Sequence, residues 1–148
     1  MISKPVFSIF KSVVLITCLA SSSAYAVLGG SVTHQTGTVS QGGGGSTVYQ
    51  SLVFGKSITE YAVGGKVFAV KWSGPSQPDL MALYGSYFND YANAQAHAAS
   101  SGMIGSGRVE ANTGAVVIRH SGHIGAMRGF AYIPALLPSG FDISVLSK

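Results

Sequence analysis

His120 and His123 are the side chains best placed for chemistry in this 148-residue chain. Two imidazoles three positions apart on a turn can converge on one metal ion, or one can act as a base beside a nucleophile. Zinc needs three or four ligands, and no carboxylate or cysteine lies near this pair. His34 and His97 stand elsewhere. The simpler expectation for His120-Ser121-Gly122-His123 is a polar hairpin turn, with no metal and no cofactor. The acids Glu60, Asp79, Asp90, Glu110 and Asp142 are isolated from one another in sequence and form no evident acid/base pair. The Gly-x-Ser-x-Gly turn that presents an esterase serine is absent. A Ser–His–acid set assembled only by the fold stays open.

Two glycine-rich segments resemble phosphate loops and depart from them. Gly55-Lys56-Ser57 has the end of such a loop, but Gln50 stands where its first glycine belongs, and a hairpin follows instead of a helix. Gly102, Gly105 and Gly107 carry the wrong spacing for a dinucleotide loop and lead from helix into strand, so they read as a connector. The remaining candidates are aromatic. Trp72, Tyr84, Tyr87, Tyr91 and Tyr132 are expected either to fill a core or to rim a groove that takes a protein partner or small ligand. Tyr132 begins an apolar run to Pro138 that suits a partner contact or a cap over a sheet.

The elements that must position these residues begin after a leader. Lys4 and Lys11, the apolar run Val13 to Ala20 and then Ser21 to Ala26 have the layout of a secretory signal peptide cleaved after Ala26. The apolar run is far short of the roughly 20 residues that span a bilayer. Thr17 before Cys18 disfavours a lipoprotein signal. The expected compartment is therefore the periplasm or the medium, with no transmembrane helix after cleavage. Residues 27–46, rich in Gly, Ser and Thr, predict a flexible lead, since they hold too little apolar surface to offset ordering entropy. Residues 47–148 are expected to form one domain.

Within that domain, Thr47 to Phe54, with Val48, Leu52 and Phe54 on one face, predicts the first strand. A turn at Gly55-Lys56-Ser57 leads to Ile58 to Val63, and Gly64-Gly65 to Lys66 to Trp72. In the last of these, Phe68, Val70 and Trp72 share one face and Val67, Ala69 and Lys71 the other. Asp79 is positioned to cap a helix running to about residue 98, with Leu80, Leu83, Tyr84, Tyr87, Phe88 and Tyr91 as its apolar stripe and Gly85 at a close contact. Strands then follow at Arg108 to Asn112, Ala115 to His120, Gly122 to Met127 and Arg128 to Ile133. The last two can also form one bent strand. The tail from Ser139 is expected to cover a sheet edge through Phe141, Ile143, Val145 and Leu146.

Composition narrows the function. Cys18, the single cysteine, lies in the leader, so the processed chain has no disulfide, thiolate nucleophile or cysteine ligand. Seven cations face five acids downstream of Ala26, and they form no run or stripe in sequence. Nucleic-acid binding needs clustered cations and is not expected. All 20 glycines follow Ala26, which fits a turn-rich sheet protein.

Several segments carry a family resemblance. They are Glu60-Tyr61, Gly65 to Pro75, Pro78-Asp79-Leu80, Gly85 to Phe88, and the closing run Gly129 to Pro138. Together they resemble the DUF2844 family across nearly all of the processed chain. The resemblance implies a short exported bacterial protein, of proteobacterial type, and transfers no catalytic residue. Many members carry an arginine before the Glu-Tyr pair, where this chain has Thr59.

The expectation is an α+β fold, with an antiparallel sheet of about six or seven strands and one amphipathic helix on one face. The expected role is an exported, non-catalytic binding or accessory module. A small periplasmic hydrolase using a serine with His120 or His123 is the first alternative. An envelope structural or assembly component, associating through a sheet edge, is the second.

Overall fold

The computed structural model describes residues 26–32, 37–102 and 107–148. The expected leader as far as Tyr25, His34 and part of the glycine-rich connector lie outside the described residues. Among the described residues, seven antiparallel strands form one sheet: β1 (Thr38–Gln41), β2 (Thr47–Val53), β3 (Lys56–Val63), β4 (Lys66–Gly74), β5 (Val109–Asn112), β6 (Val117–His123) and β7 (Ala126–Tyr132). Their spatial order is β1-β2-β3-β4-β7-β6-β5. The chain leaves β4, runs through the helical segment, enters the far edge at β5 and meanders back to pair β7 with β4.

Two hairpin turns explain why the meander forms. Gly64-Gly65 sits between β3 and β4 with φ of 56° and 77°, and Phe54-Gly55 sits between β2 and β3 with 49° and 74°. Paired left-handed residues give the turn whose twist matches antiparallel strands. The turn thus falls one residue before the expected Gly55-Lys56-Ser57, and Lys56 and Ser57 pair with Val53 and Leu52. Phe54 occupies a backbone region costly for a bulky residue, and it is 85 % exposed. Leu52 is 77 % exposed, so of the predicted face only Val48 reaches the core.

A register shift corrects the faces of β4. Tyr61 pairs with Ala69 and Ala62 with Val67, leaving Phe68 as the extra residue of a bulge. Val67, Val70 and Trp72 consequently share one core cluster, while Phe68 and Ala69 join another. Strict alternation would have put Phe68 beside Trp72.

The helical stretch spans Leu80 to Ser100 as α1 (Leu80–Tyr84), a single 3₁₀ turn and α2 (Phe88–Ser100). Asp79 caps it, its Oδ1 accepting the Ala82 amide at 3.0 Å. The kink falls at Gly85, where φ is 53° and a Cβ would collide with Val27. Leu80, Leu83, Tyr84 and Tyr91 enter the cluster that holds Val70, Trp72, Ile118 and Ala131, so the helix packs against the sheet. Contacts between α2 and β5 extend that packing to the far edge.

The segment expected as a flexible lead contributes structure wherever it is described. Leu28 is buried beside Leu83, and its amide donates to the Leu83 carbonyl at 3.0 Å. The Gly29 amide donates to Val67 O at 2.8 Å and the Val67 amide to Gly30 O at 3.0 Å. Composition misses this because two apolar residues and a few backbone bonds suffice to dock a short segment. Ala26 is buried too, its amide donating to Glu60 Oε1 at 2.9 Å.

The C-terminal tail covers sheet surface and not an edge. Phe141 packs edge-on against Phe68 at 4.9 Å and Tyr61 at 5.4 Å between ring centroids. Val145 and Leu146 join the same cluster, whereas Ile143 stays largely exposed. β6 also runs on through the expected Ser121-Gly122 break, and the chain turns instead at Ile124-Gly125.

Candidate functional site

The sheet brings His120 to Trp72 and Tyr84, three residues far apart in sequence. Trp72 on β4 and His120 on β6 flank Gly129 of β7, which pairs with both. A Cβ at Gly129 would come within 2.7 Å of the His120 ring and 2.8 Å of the Trp72 ring. Glycine is what lets the two rings meet edge to face across that strand, 5.1 Å between centroids.

Tyr84 closes the group from the helix. The Trp72 indole N–H donates to the Tyr84 hydroxyl at 3.1 Å, and that hydroxyl lies 2.6 Å from His120 Nε2. Indole can only donate, so the Tyr84 oxygen accepts from Trp72, and the tautomer that also satisfies the Tyr84 proton directs it at His120 Nε2. His120 then carries its proton on Nδ1, a buried atom with no hydrogen-bond partner among the described residues. The Tyr91 ring lies tilted against the imidazole, 4.5 Å between centroids. Burial drives the His120 pKa from 6.5 down to about 4. Burial likewise raises the Tyr84 hydroxyl well above its ordinary value. Both groups stay neutral at neutral pH, and His120 is only 4 % exposed.

The predicted site residues therefore separate. Trp72, Tyr84 and Tyr91 are core residues, each no more than 3 % exposed, and of the three Trp72 also borders the cavity on the Lys71 side of the sheet. Tyr87 is half-buried against the same cluster. Tyr132 is half-buried elsewhere, stacked on Phe130 at 6.4 Å. His123 lies exposed at the β6–β7 turn, its Nδ1 near the Ile124 carbonyl at 2.9 Å. No serine hydroxyl hydrogen-bonds either imidazole among the described residues.

A cavity of about 370 Å³ opens on the side of the sheet that carries Lys71. Side-chain alternation sends Lys71 away from Trp72, and the strand pairing aligns Lys71, Phe130, Arg119 and Glu110 in one row. The neighbouring row holds Ser73, Arg128 and Ser121. Glu110 is held between Arg119 at 2.8 Å and Arg108 at 3.1 Å, and their hydrogen bonds lower its pKa. The Lys71 ammonium donates to the Val145 carbonyl at 3.0 Å, which fixes it under the C-terminal tail. Ser147 and Lys148 complete the wall. Five of the seven cations that look scattered in sequence thus line one cavity. The only sequence signal for it was their position on alternating strand faces, and that signal is silent on which strands are neighbours.

The class is an α+β protein with a helix packed on an antiparallel sheet and a cation-lined cavity beneath a C-terminal tail. The chain belongs to the DUF2844 family, proteins of unknown function, with residues 22–146 matched. No curated protein and no solved structure matches it. No helix among the described residues is long and apolar enough to cross a membrane.

Proposed function

We propose that this chain is an exported, non-catalytic binding module, periplasmic or secreted, with its helix on one face of the sheet and its ligand seat on the other. The cation- and hydroxyl-lined cavity carries this reading. It has the size of a small-molecule site and several convergent polar groups. Its neighbouring carboxylate, Glu110, is occupied by two arginines, and His120, which borders the cavity, is buried with its Nε2 engaged by Tyr84, so an acid/base pair is not what the arrangement favours. The leader pattern from Lys4 to Ala26 supports export.

The experiment is native purification of untagged protein from the envelope and medium, followed by solvent extraction and mass spectrometry. A C-terminal tag is avoided because Ser147 and Lys148 line the cavity. A small molecule retained in near-equal ratio supports the reading. Protein that retains nothing but hydrolyses an ester panel replaces it with the hydrolase alternative.

The assembly reading has one observation of its own. All four residues of the edge strand β1 are exposed. Concentration-dependent association that Val39→Pro abolishes would favour it.

A further inference from the structure

Cations gathered on one surface repel each other, and a cavity that keeps five of them together, two of them sharing Glu110, is suited to an anion. Among the described residues, Lys71 and Arg128 have no carboxylate within ion-pair distance. Arg128 has only a long 3.4 Å bond from its Nε to Ser121 Oγ. Arg119 shares Glu110 with Arg108. Lys71 and Arg119 lie two strands apart, about 10 Å between backbones, with Phe130 between them and Arg128 one step along β7. All three cations line the cavity together with Phe130.

We propose that the cavity binds an organic phosphate monoester, its phosphoryl oxygens held by Lys71, Arg119 and Arg128 and its organic body lying over Phe130. The assignment rests on the binding-module reading. Charge selects the group. A single carboxylate supplies one negative charge, whereas a phosphate monoester supplies about −1.5 to −2 and three strong acceptor oxygens. Arginine forks match phosphoryl geometry, and the Ser73 and Ser121 hydroxyls in the same row as Arg128 add neutral donors. Size selects the body, because about 370 Å³ far exceeds free phosphate and falls in the range of organic ligands. Phe130, half-buried, offers an apolar floor for it.

Isothermal titration of the purified protein, in the form that cells accumulate, tests this with three probes: phenyl phosphate, phenol and inorganic phosphate. Phenyl phosphate is expected to bind at least about tenfold more tightly than either of the others, and to weaken as salt rises. Arg128→Gln changes an exposed residue and should weaken it about tenfold with an unchanged melting temperature. Lys71→Met gives a second variant that keeps the aliphatic stem under the tail. Flotation with phosphatidylcholine vesicles, with and without phosphatidic acid, separates the sources. Co-flotation that requires phosphatidic acid and Arg128 assigns a lipid-borne phosphate, and its absence beside phenyl phosphate binding assigns a soluble one. Equal affinity for phenyl phosphate and phenol, or affinity unchanged in both variants, overturns the proposal. No probe binding alongside a co-purified ligand without a phosphoryl group overturns the phosphoryl assignment alone. No ligand by either route removes the binding-module reading as well.

Discussion

Protonation of His120 should destabilise this protein in a pH range where its carboxylates are still charged. In the unfolded chain the imidazole titrates near 6.5, and in the folded protein burial holds it at about 4. The unfolded state therefore takes up a proton that the folded state refuses, and stability falls as pH drops below about 7. Each pKa unit is worth about 1.4 kcal/mol, so the loss is about 2 kcal/mol by pH 5 and levels off near 3 kcal/mol below pH 4. The hydrogen bonds act in the same direction. A proton on Nε2 would set two donors, Trp72 and His120, against the Tyr84 oxygen and leave the tyrosine proton without its acceptor. Urea unfolding at pH 7 and pH 5 measures the effect. With a slope of about 1 to 2 kcal/mol per molar, the midpoint should fall by about 1 to 2 M. His120→Gln keeps an acceptor for Tyr84 and does not titrate, so its midpoint should move less between the two pH values by that amount. Equal pH dependence in the two proteins would refute the reasoning.

Leu83 is fully buried, and Leu83→Ala should cost about 2 to 5 kcal/mol in urea unfolding at pH 7. Asp79→Ala removes the helix cap and should cost about 1 kcal/mol by the same measurement. Gly85→Ala meets both a left-handed backbone and the Val27 side chain, and should cost about 1 to 3 kcal/mol. Edman sequencing of the protein that cells accumulate should begin at Val27, and a chain that keeps Met1 would refute export through this leader.

Legibility in the sequence tracked how local the determining contacts are. The helix was readable because its cap and its stripe of Leu80, Leu83, Tyr84 and Tyr91 lie within a few turns of one another. The strands were readable from alternation and from paired glycines. Alternation failed in β4 at one bulge, a feature that depends on how Tyr61 and Ala62 pair with a neighbouring strand. The cavity was not readable, because it exists only through the register between β4 and β7. Lys71 and Arg128 are brought together by a pairing that closes over the whole helical segment and two further strands. For His120 the sequence offers a metal ligand or base, or more simply a polar hairpin turn. Burial makes it interior, since β6 continues three residues past it before turning.

The two sides of β4 and β6 put the same strands to different uses. Towards Trp72 and His120 the polar atoms are enclosed, and they bond one another at fixed geometry. The two hydrogen bonds tie β4 and β6 to the helix, with His120 Nδ1 left unpaired among the described residues. Towards Lys71 and Arg119 the polar groups face an open cavity, and rigidity of the strands beneath sets their spacing. The tail links the apolar and basic parts of that second side. Phe141 anchors it between Tyr61 and Phe68, and four residues later the Val145 carbonyl holds the Lys71 ammonium. An anion entering the cavity would compete with that carbonyl for Lys71, so ligand binding and the position of the last turn are coupled through one hydrogen bond. Charge-assisted bonds to phosphoryl oxygen are stronger than one to a neutral carbonyl, which sets the direction of that competition.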